Sequence, residues 1–81
     1  MNGPEYLKQA IERSGLSMTD LAIKSDLTRT YIYAMIEGAA CPSHPACFRL
    51  ADALGISRDE VVGWFWDENG KKRAVAPMVN E

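Results

Sequence analysis

The chain has few residues of the kinds that carry out catalysis or hold metal ions. Its 81 residues include one histidine, His44, and two cysteines, Cys41 and Cys47. These three form a C-x2-H-x2-C cluster, but a closed zinc site takes four protein ligands and the chain offers no further histidine or cysteine. No pair of carboxylates shares a helix face with His44. We therefore expect a protein that is not an enzyme, with no catalytic residues, no metal and no cofactor.

Two cysteines are also too few for a framework of disulfides. We expect two free thiols, with Cys47 in the core and Cys41 in a loop. The sequence contains no apolar run near the roughly 18 residues that a membrane-spanning helix needs. Its first residues show no basic segment followed by an apolar one, as a signal peptide would. These absences predict a cytoplasmic protein without a membrane partner, and no small-molecule ligand is evident.

The sequence has no surplus of positive charge. Nine Lys and Arg residues stand against 11 Asp and Glu residues, and the net charge is −2 at pH 7. Affinity for nucleic acid depends mainly on neutralising phosphates, so this balance argues mildly against a nucleic-acid partner. A net count does not show, however, how charge is distributed over the faces of a fold.

Apolar residues recur at helical spacing in five segments, and capping residues flank these segments. The predicted helices cover residues 4–14, 18–25, 29–37, 44–54 and 58–65. Gly15, Gly38 and Gly55 are expected to end helices, and Asp26 is expected to adopt a positive φ in a tight turn. The pattern predicts one all-α domain over residues 1–66. Residues 67–81, with the basic run 71–73, are predicted to form a flexible C-terminal tail.

The second and third predicted helices are joined by that tight turn, and the third helix has two distinct faces. Ile32, Met35 and Ile36 form its apolar stripe. Arg29, Tyr33 and Glu37 lie on the opposite side, beside Thr30. Two short helices joined in this way are typical of a helix-turn-helix, whose second helix enters the DNA major groove. The Trp-Phe-Trp segment at 64–66 is interpreted as closing the core; the alternative is that Trp66 or Phe65 lies exposed and forms a dimer patch.

An ordered set of short motifs resembles the Cro/repressor-like (lambda-repressor-like) helix-turn-helix family of XRE-type transcriptional regulators. The motifs are Gly15-Leu16-Ser17, Leu21-Ala22, Leu27-Thr28-Arg29, Ile32, Glu37-Gly38, Pro42-Ser43, Leu50-Ala51 and Ala53-Leu54-Gly55-Ile56-Ser57. The resemblance spans about Leu7 to Trp64 and implies a compact five-helix DNA-binding domain. It also implies association with the bacterial nucleoid.

The resemblance implies that Arg29, Thr30 and Ala34 contact DNA bases. Arg29 can pair bidentately with O6 and N7 of guanine, Thr30 can donate, accept or touch a thymine methyl, and Ala34 offers an apolar contact. Tyr33 lies on the same exposed face and is expected to contact a base methyl or a phosphate.

Other positions match the residues that contact the DNA backbone in this family. Thr28 and Tyr31 match phosphate-facing positions, and we expect phosphate contacts from Ser17 and Thr19 at the start of the second helix. Such contacts position a protein on DNA without reading its sequence.

The chain departs from the family pattern where phosphates are usually held. Met18 stands where the family often has glutamine, and Asp26 occupies the position of the turn glycine. Ala39-Ala40-Cys41 replaces a loop that often carries Lys or Arg. Weak phosphate binding by one subunit favours a homodimer, or help from Lys8, Arg13 and the run 71–73.

The sequence thus predicts a sequence-specific transcriptional regulator of bacterial or phage repressor type. It is expected to bind a two-fold-related double-stranded operator as a homodimer, with half-sites about 34 Å apart. The alternative is a helix-turn-helix fold used as a protein-interaction module, such as an antitoxin or an anti-repressor, with weak or no DNA binding. A steep fall of DNA affinity with salt distinguishes the first possibility from the second.

Overall fold

Five α-helices make up the fold of residues 1–73, the part of the chain that the computed structural model describes. The helices are α1 Gly3–Ser14, α2 Met18–Ser25, α3 Arg29–Ile36, α4 His44–Leu54 and α5 Arg58–Phe65. The all-α five-helix fold expected from the sequence is confirmed. Within residues 1–73, none of the helices has the length and apolar character needed to span a bilayer.

Each helix begins at a polar side chain that accepts a hydrogen bond from a backbone N–H of the first turn. The capping residues are Asn2, Ser17, Thr28, Ser43 and Ser57. At α1 the cap is reciprocal, because Asn2 Oδ1 accepts from Glu5 N at 3.0 Å and Glu5 Oε1 accepts from Asn2 N at 2.9 Å. This capping box starts α1 at Gly3, one residue before the predicted start at Pro4.

Left-handed residues end the first, second and fourth helices. Gly15 and Gly55 adopt φ values of 74° and 73°, and Asp26 adopts a φ of 58° between α2 and α3. Asp26 is the one non-glycine residue with positive φ in the described chain. The predicted positive φ of Asp26 is confirmed, and it turns the chain sharply from α2 into α3.

The core contains buried side chains from all five helices. Its members are Leu7, Ile11, Leu21, Ile32, Met35, Cys47, Leu50, Ala51, Val61 and Phe65. Gly3 brings α1 close to α5, since a Cβ at Gly3 would collide with the carbonyl oxygen of Trp64 and lie 3.1 Å from the Phe65 ring. The expected closure of the core is confirmed for Phe65, which is 2% exposed, so the alternative that Phe65 forms an exposed dimer patch is wrong.

The loop between α3 and α4 is held against the end of α5 through Pro42. Its carbonyl oxygen accepts a hydrogen bond from Trp66 Nε1 at 2.9 Å. The thiols of Cys41 and Cys47 approach the same oxygen at 3.9 and 3.8 Å. Both cysteines are free, and burial raises the pKa of both thiols, that of Cys47 to about 11. Within residues 1–73 no three His, Cys, Asp or Glu side chains group around a possible metal position.

The chain turns back on α5 after Trp66. Trp66 and Lys72 form an isolated antiparallel bridge. Arg73 N then donates to the carbonyl of Phe65 at 2.8 Å, and Arg73 Nε donates to the carbonyl of Gly63 at 2.7 Å. Lys72 and Arg73 of the predicted tail therefore contact the helical domain, and residues 74–81 lie outside the described part of the chain.

Candidate nucleic-acid interface

The two faces of α3 have opposite environments. Ile32 and Met35 are fully buried in the core, whereas Arg29 and Thr30 are exposed and Tyr33 is 49% exposed. The turn before α3 is closed by a hydrogen bond from Leu27 N to the carbonyl of residue 22 at 3.2 Å. The core thus fixes one side of α3, and its polar side chains face solvent as the helical spacing predicted.

A side-chain hydrogen bond connects the exposed faces of α2 and α3. Nη1 of Arg29 donates to Oγ1 of Thr19 at 3.4 Å. Arg29 has five N–H donors in a fixed planar arrangement, so this single bond leaves the others available. Thr19 therefore restricts the orientation of the guanidinium, while the other N–H groups of Arg29 can still donate to a guanine or a phosphate.

Two of the predicted phosphate contacts are helix caps. The hydroxyl oxygens of Ser17 and Thr28 accept from the backbone N–H groups of Asp20 and Tyr31, each at 3.1 Å. In these bonds each hydroxyl acts as an acceptor, so its own O–H can still donate to a phosphate oxygen. The exposed N-termini of α2 and α3 also carry partial positive charge, which favours an anion at the same position.

The remaining predicted site residues are less exposed. Tyr31 and Ala34 are half-buried. The carbonyl of Ala34 accepts from the N–H groups of Ala39 and Ala40 at 2.8 and 3.2 Å, which closes the C-terminal end of α3. Ala34 can therefore offer only its methyl group to a ligand, and the exposed polar side chains Arg29 and Thr30 lie in the N-terminal half of α3.

Charge near the turn comes partly from a residue that sequence reasoning did not single out. Arg49 of α4 lies 3.9 Å from the carboxylate of Asp26, and their side chains are 54% and 93% exposed. An exposed pair at this distance contributes little to stability, but it places a guanidinium beside the acidic turn. Residues 18–40 alone contain two basic and three acidic side chains, so Arg49 brings this region to charge balance. No short-range sequence pattern connects positions 26 and 49.

The other basic residues expected to assist phosphate binding lie on elements other than α2 and α3. Arg13 lines a groove between α1 and α5, and Lys8 lines a second surface groove with residues of α1. Arg73 lies against the carbonyl of Gly63 in α5.

Comparison with known proteins agrees with this geometry. A helix-turn-helix family model, HTH_3, matches residues 7–61, which include all of α2, α3 and α4. The chain belongs to the Cro/C1-type helix-turn-helix family. The family expected from the sequence motifs is therefore confirmed. With this assignment the protein is a DNA-binding transcriptional regulator.

One solved structure illustrates the helix-turn-helix fold in a related protein. The fold is similar to the crystal structure of the restriction-modification controller protein C.AhdI from Aeromonas hydrophila, with a TM-score of 0.69 and 30% sequence identity. The match covers 73% of this chain and 89% of that chain. No curated protein matches this chain.

Proposed function

We propose that this helix-turn-helix regulator binds a specific double-stranded operator as a homodimer, with α3 of each subunit in the major groove. The observation that carries the proposal is the division of α3 into two faces. Ile32 and Met35 anchor one face in the core, while Arg29, Thr30 and Tyr33 are exposed together on the other. A helix held in this way can enter a groove without loss of core contacts.

We assign base recognition to the exposed face of α3. Arg29 donates two hydrogen bonds to guanine O6 and N7, in an orientation that Thr19 restricts. Thr30 bonds a base edge, and Tyr33 and Ala34 offer apolar contact to a thymine methyl. Together these side chains read a short run of bases in each half-site.

Contacts to the DNA backbone are assigned to residues at the two helix N-termini. Ser17 and Thr28 donate their hydroxyl hydrogens to phosphates while their oxygens cap α2 and α3. Thr19 and Tyr31 complete this set. These neutral contacts fix the register of the protein on the duplex and contribute little to the counterion release that drives strong binding.

The weak positive charge around α2 and α3 supports binding by two subunits. A homodimer doubles the contacts and presents two copies of α3 about one helical turn, roughly 34 Å, apart. Similarity to a restriction-modification controller supports a role in controlling gene expression. Two-fold symmetry of the protein then implies a palindromic operator.

The proposal is tested by selecting an operator from random duplexes and measuring binding of Arg29→Ala to it. We expect a loss of about 1–3 kcal/mol of discrimination at the guanine that Arg29 contacts. Lys8→Ala, which removes an exposed cation from α1, serves as the matched control and is expected to retain the base preference. Unchanged affinity and unchanged preference in Arg29→Ala would contradict the assignment of Arg29.

The acidic balance of the chain favours one second candidate, a helix-turn-helix fold used to bind another protein. Salt dependence separates the two functions, because phosphate contacts make DNA affinity fall steeply with salt. Absence of DNA binding by the wild-type protein even at low salt would favour the interaction module.

A further inference from the structure

A groove of about 370 Å³ runs along the surface between α1 and α5. One end of it carries a stacked aromatic pair, with the Tyr6 and Trp64 rings 5.9 Å apart and 13° from parallel. Tyr6 is 42% exposed, and the half-buried Leu54 and Ile56 add apolar surface to the groove. An exposed tyrosine ring stacked on a half-buried tryptophan beside aliphatic side chains is typical of a surface that another protein covers.

The other end of the groove carries one charge of each sign. Gly3 at the start of α1 lies against Trp64 and Phe65 at the end of α5. Away from this contact, residue numbers therefore increase along α1 and decrease along α5. Arg13 lies about 10 Å further along α1 than Tyr6, and Glu60 lies about 6 Å back along α5 from Trp64. Arg13 and Glu60 therefore mark opposite walls of the groove away from the aromatic end.

We propose that this groove is the surface on which a second copy of the chain packs. The inference rests on the homodimer of the proposed function and adds its location. A two-fold interface presents the same patch on both subunits, so the patch must be complementary to itself. A two-fold axis parallel to the groove places the α1 wall of one copy against the α5 wall of the other.

This axis pairs unlike groups along the whole groove. Arg13 of one copy then faces Glu60 of the other, twice by symmetry, and Tyr6 faces Trp64 at the aromatic end. A two-fold axis across the groove would instead place aromatic rings against the charged end. Among residues 1–73 the ion pairs that form are Arg49–Asp26 and Arg58–Asp52, so the charges of Arg13 and Glu60 are not engaged within the described chain.

Reversal of single charges tests this arrangement by sedimentation equilibrium across a concentration series. Arg13→Glu places two acidic pairs in the interface, and Glu60→Arg places two basic pairs there. Because like charges across an interface repel, we expect each variant alone to dimerise about tenfold more weakly or worse. An equimolar mixture of the two is expected to dimerise as well as the wild type, since both symmetric contacts become pairs of opposite charge.

Matched controls use charges that lie outside the groove on the same two helices. Lys8→Glu on α1 and Asp59→Arg beside Glu60 on α5 are expected to leave the dimerisation constant unchanged. Tyr6→Ala is expected to weaken the dimer, whereas Tyr33→Ala, which removes a similarly exposed ring from α3, is not. Circular dichroism confirms that each variant is folded before its association is measured.

The outcomes separate this inference from the proposed function. If the protein dimerises but both reversals leave the constant unchanged, the groove is not the interface, and operator binding is unaffected by that result. If the reversals and their mixture behave as expected but the protein binds no DNA, the interface stands and the proposed function fails. A wild-type protein that is monomeric both free and on its operator would overturn the inference.

Discussion

Arg29 and Thr19 join the exposed faces of α3 and α2 through a hydrogen bond from Nη1 to Oγ1 of 3.4 Å. The bond links the residue proposed to read guanine to a residue at the start of the preceding helix. Thr19 thereby has two proposed roles, one in contacting a phosphate and one in positioning Arg29.

Thr19→Val removes the hydroxyl while keeping the branched shape of the side chain. We expect specificity for the guanine to fall by about 0.5–1 kcal/mol, the typical contribution of one such hydrogen bond. Loss of a phosphate contact alone would weaken specific and non-specific DNA binding equally. Fluorescence anisotropy with operator and with scrambled duplex measures the ratio of specific to non-specific affinity. Thr19→Ser, which keeps the hydroxyl, is the control. Equal ratios for the valine and serine variants would exclude the positioning role.

Asp26→Asn removes the acidic charge from the turn between α2 and α3. Asparagine tolerates the left-handed backbone that residue 26 adopts, and the pair with Arg49 is long and exposed. We therefore expect the free energy of unfolding to change by less than about 0.5 kcal/mol. Affinity for DNA should rise several-fold at low salt, since Arg49 is released from its acidic neighbour. Asp59→Asn, on α5, controls for the change in net charge, and an equal gain in both variants would argue against a local effect.

Gly3→Ala is expected to destabilise the fold by about 1–3 kcal/mol, as is typical when an atom is inserted into a well-packed site. The new methyl group collides with the backbone carbonyl of Trp64, which cannot rotate away as a side chain could. Gly63→Ala on α5 meets nothing within 4 Å and should stabilise the helix by about 0.5–1 kcal/mol. Urea denaturation measures both variants, and a tolerated alanine at position 3 would show that α1 and α5 can separate without cost.

Stability is expected to fall as the pH rises from about 9 to about 11, because burial raises the pKa of Cys47 to about 11 from an ordinary value of 9.0. In this range the thiol loses its proton in the unfolded chain but keeps it in the folded chain. The unfolded state then binds fewer protons, so the free energy of unfolding decreases with pH, by up to about 3 kcal/mol. Below pH 9 the Cys47 thiol is protonated in both states, so it does not lower the free energy of unfolding there.

Chemical denaturation at several pH values measures this dependence, and Cys47→Ala isolates the thiol from tyrosine and lysine titration. The alanine variant should be less stable at neutral pH but show a shallower loss above pH 9. An identical slope in both proteins would assign the pH dependence to other groups.

Local chemistry accounts for most of the fold that could be predicted from the sequence. The bounds of α2 and α5 agree with prediction at every residue, since Ser17 and Ser57 cap them as expected. For α1, proline favours the first helical turn and predicts a start at Pro4. The true start at Gly3 is set by the Asn2-x-x-Glu5 capping box, a local signal that is also visible in the sequence.

Contacts between distant positions could not be predicted in the same way. Arg49 reaches Asp26, Tyr6 stacks on Trp64, and Arg73 binds the carbonyl of Gly63 only once helix packing is defined. For the candidate site, helical spacing was enough to place Arg29, Thr30 and Tyr33 on an exposed face. The bond between Arg29 and Thr19 depends on the angle between two helices, which no local pattern encodes.

The separation of the two faces of α3 has an evolutionary consequence. The side chains that hold the helix in place, Ile32 and Met35, are different from those that face outward, Arg29, Thr30 and Tyr33. Substitutions at the outward positions therefore leave the interior packing untouched. A protein built in this way can acquire a new target site through few mutations, each nearly neutral for folding, while its scaffold is inherited unchanged.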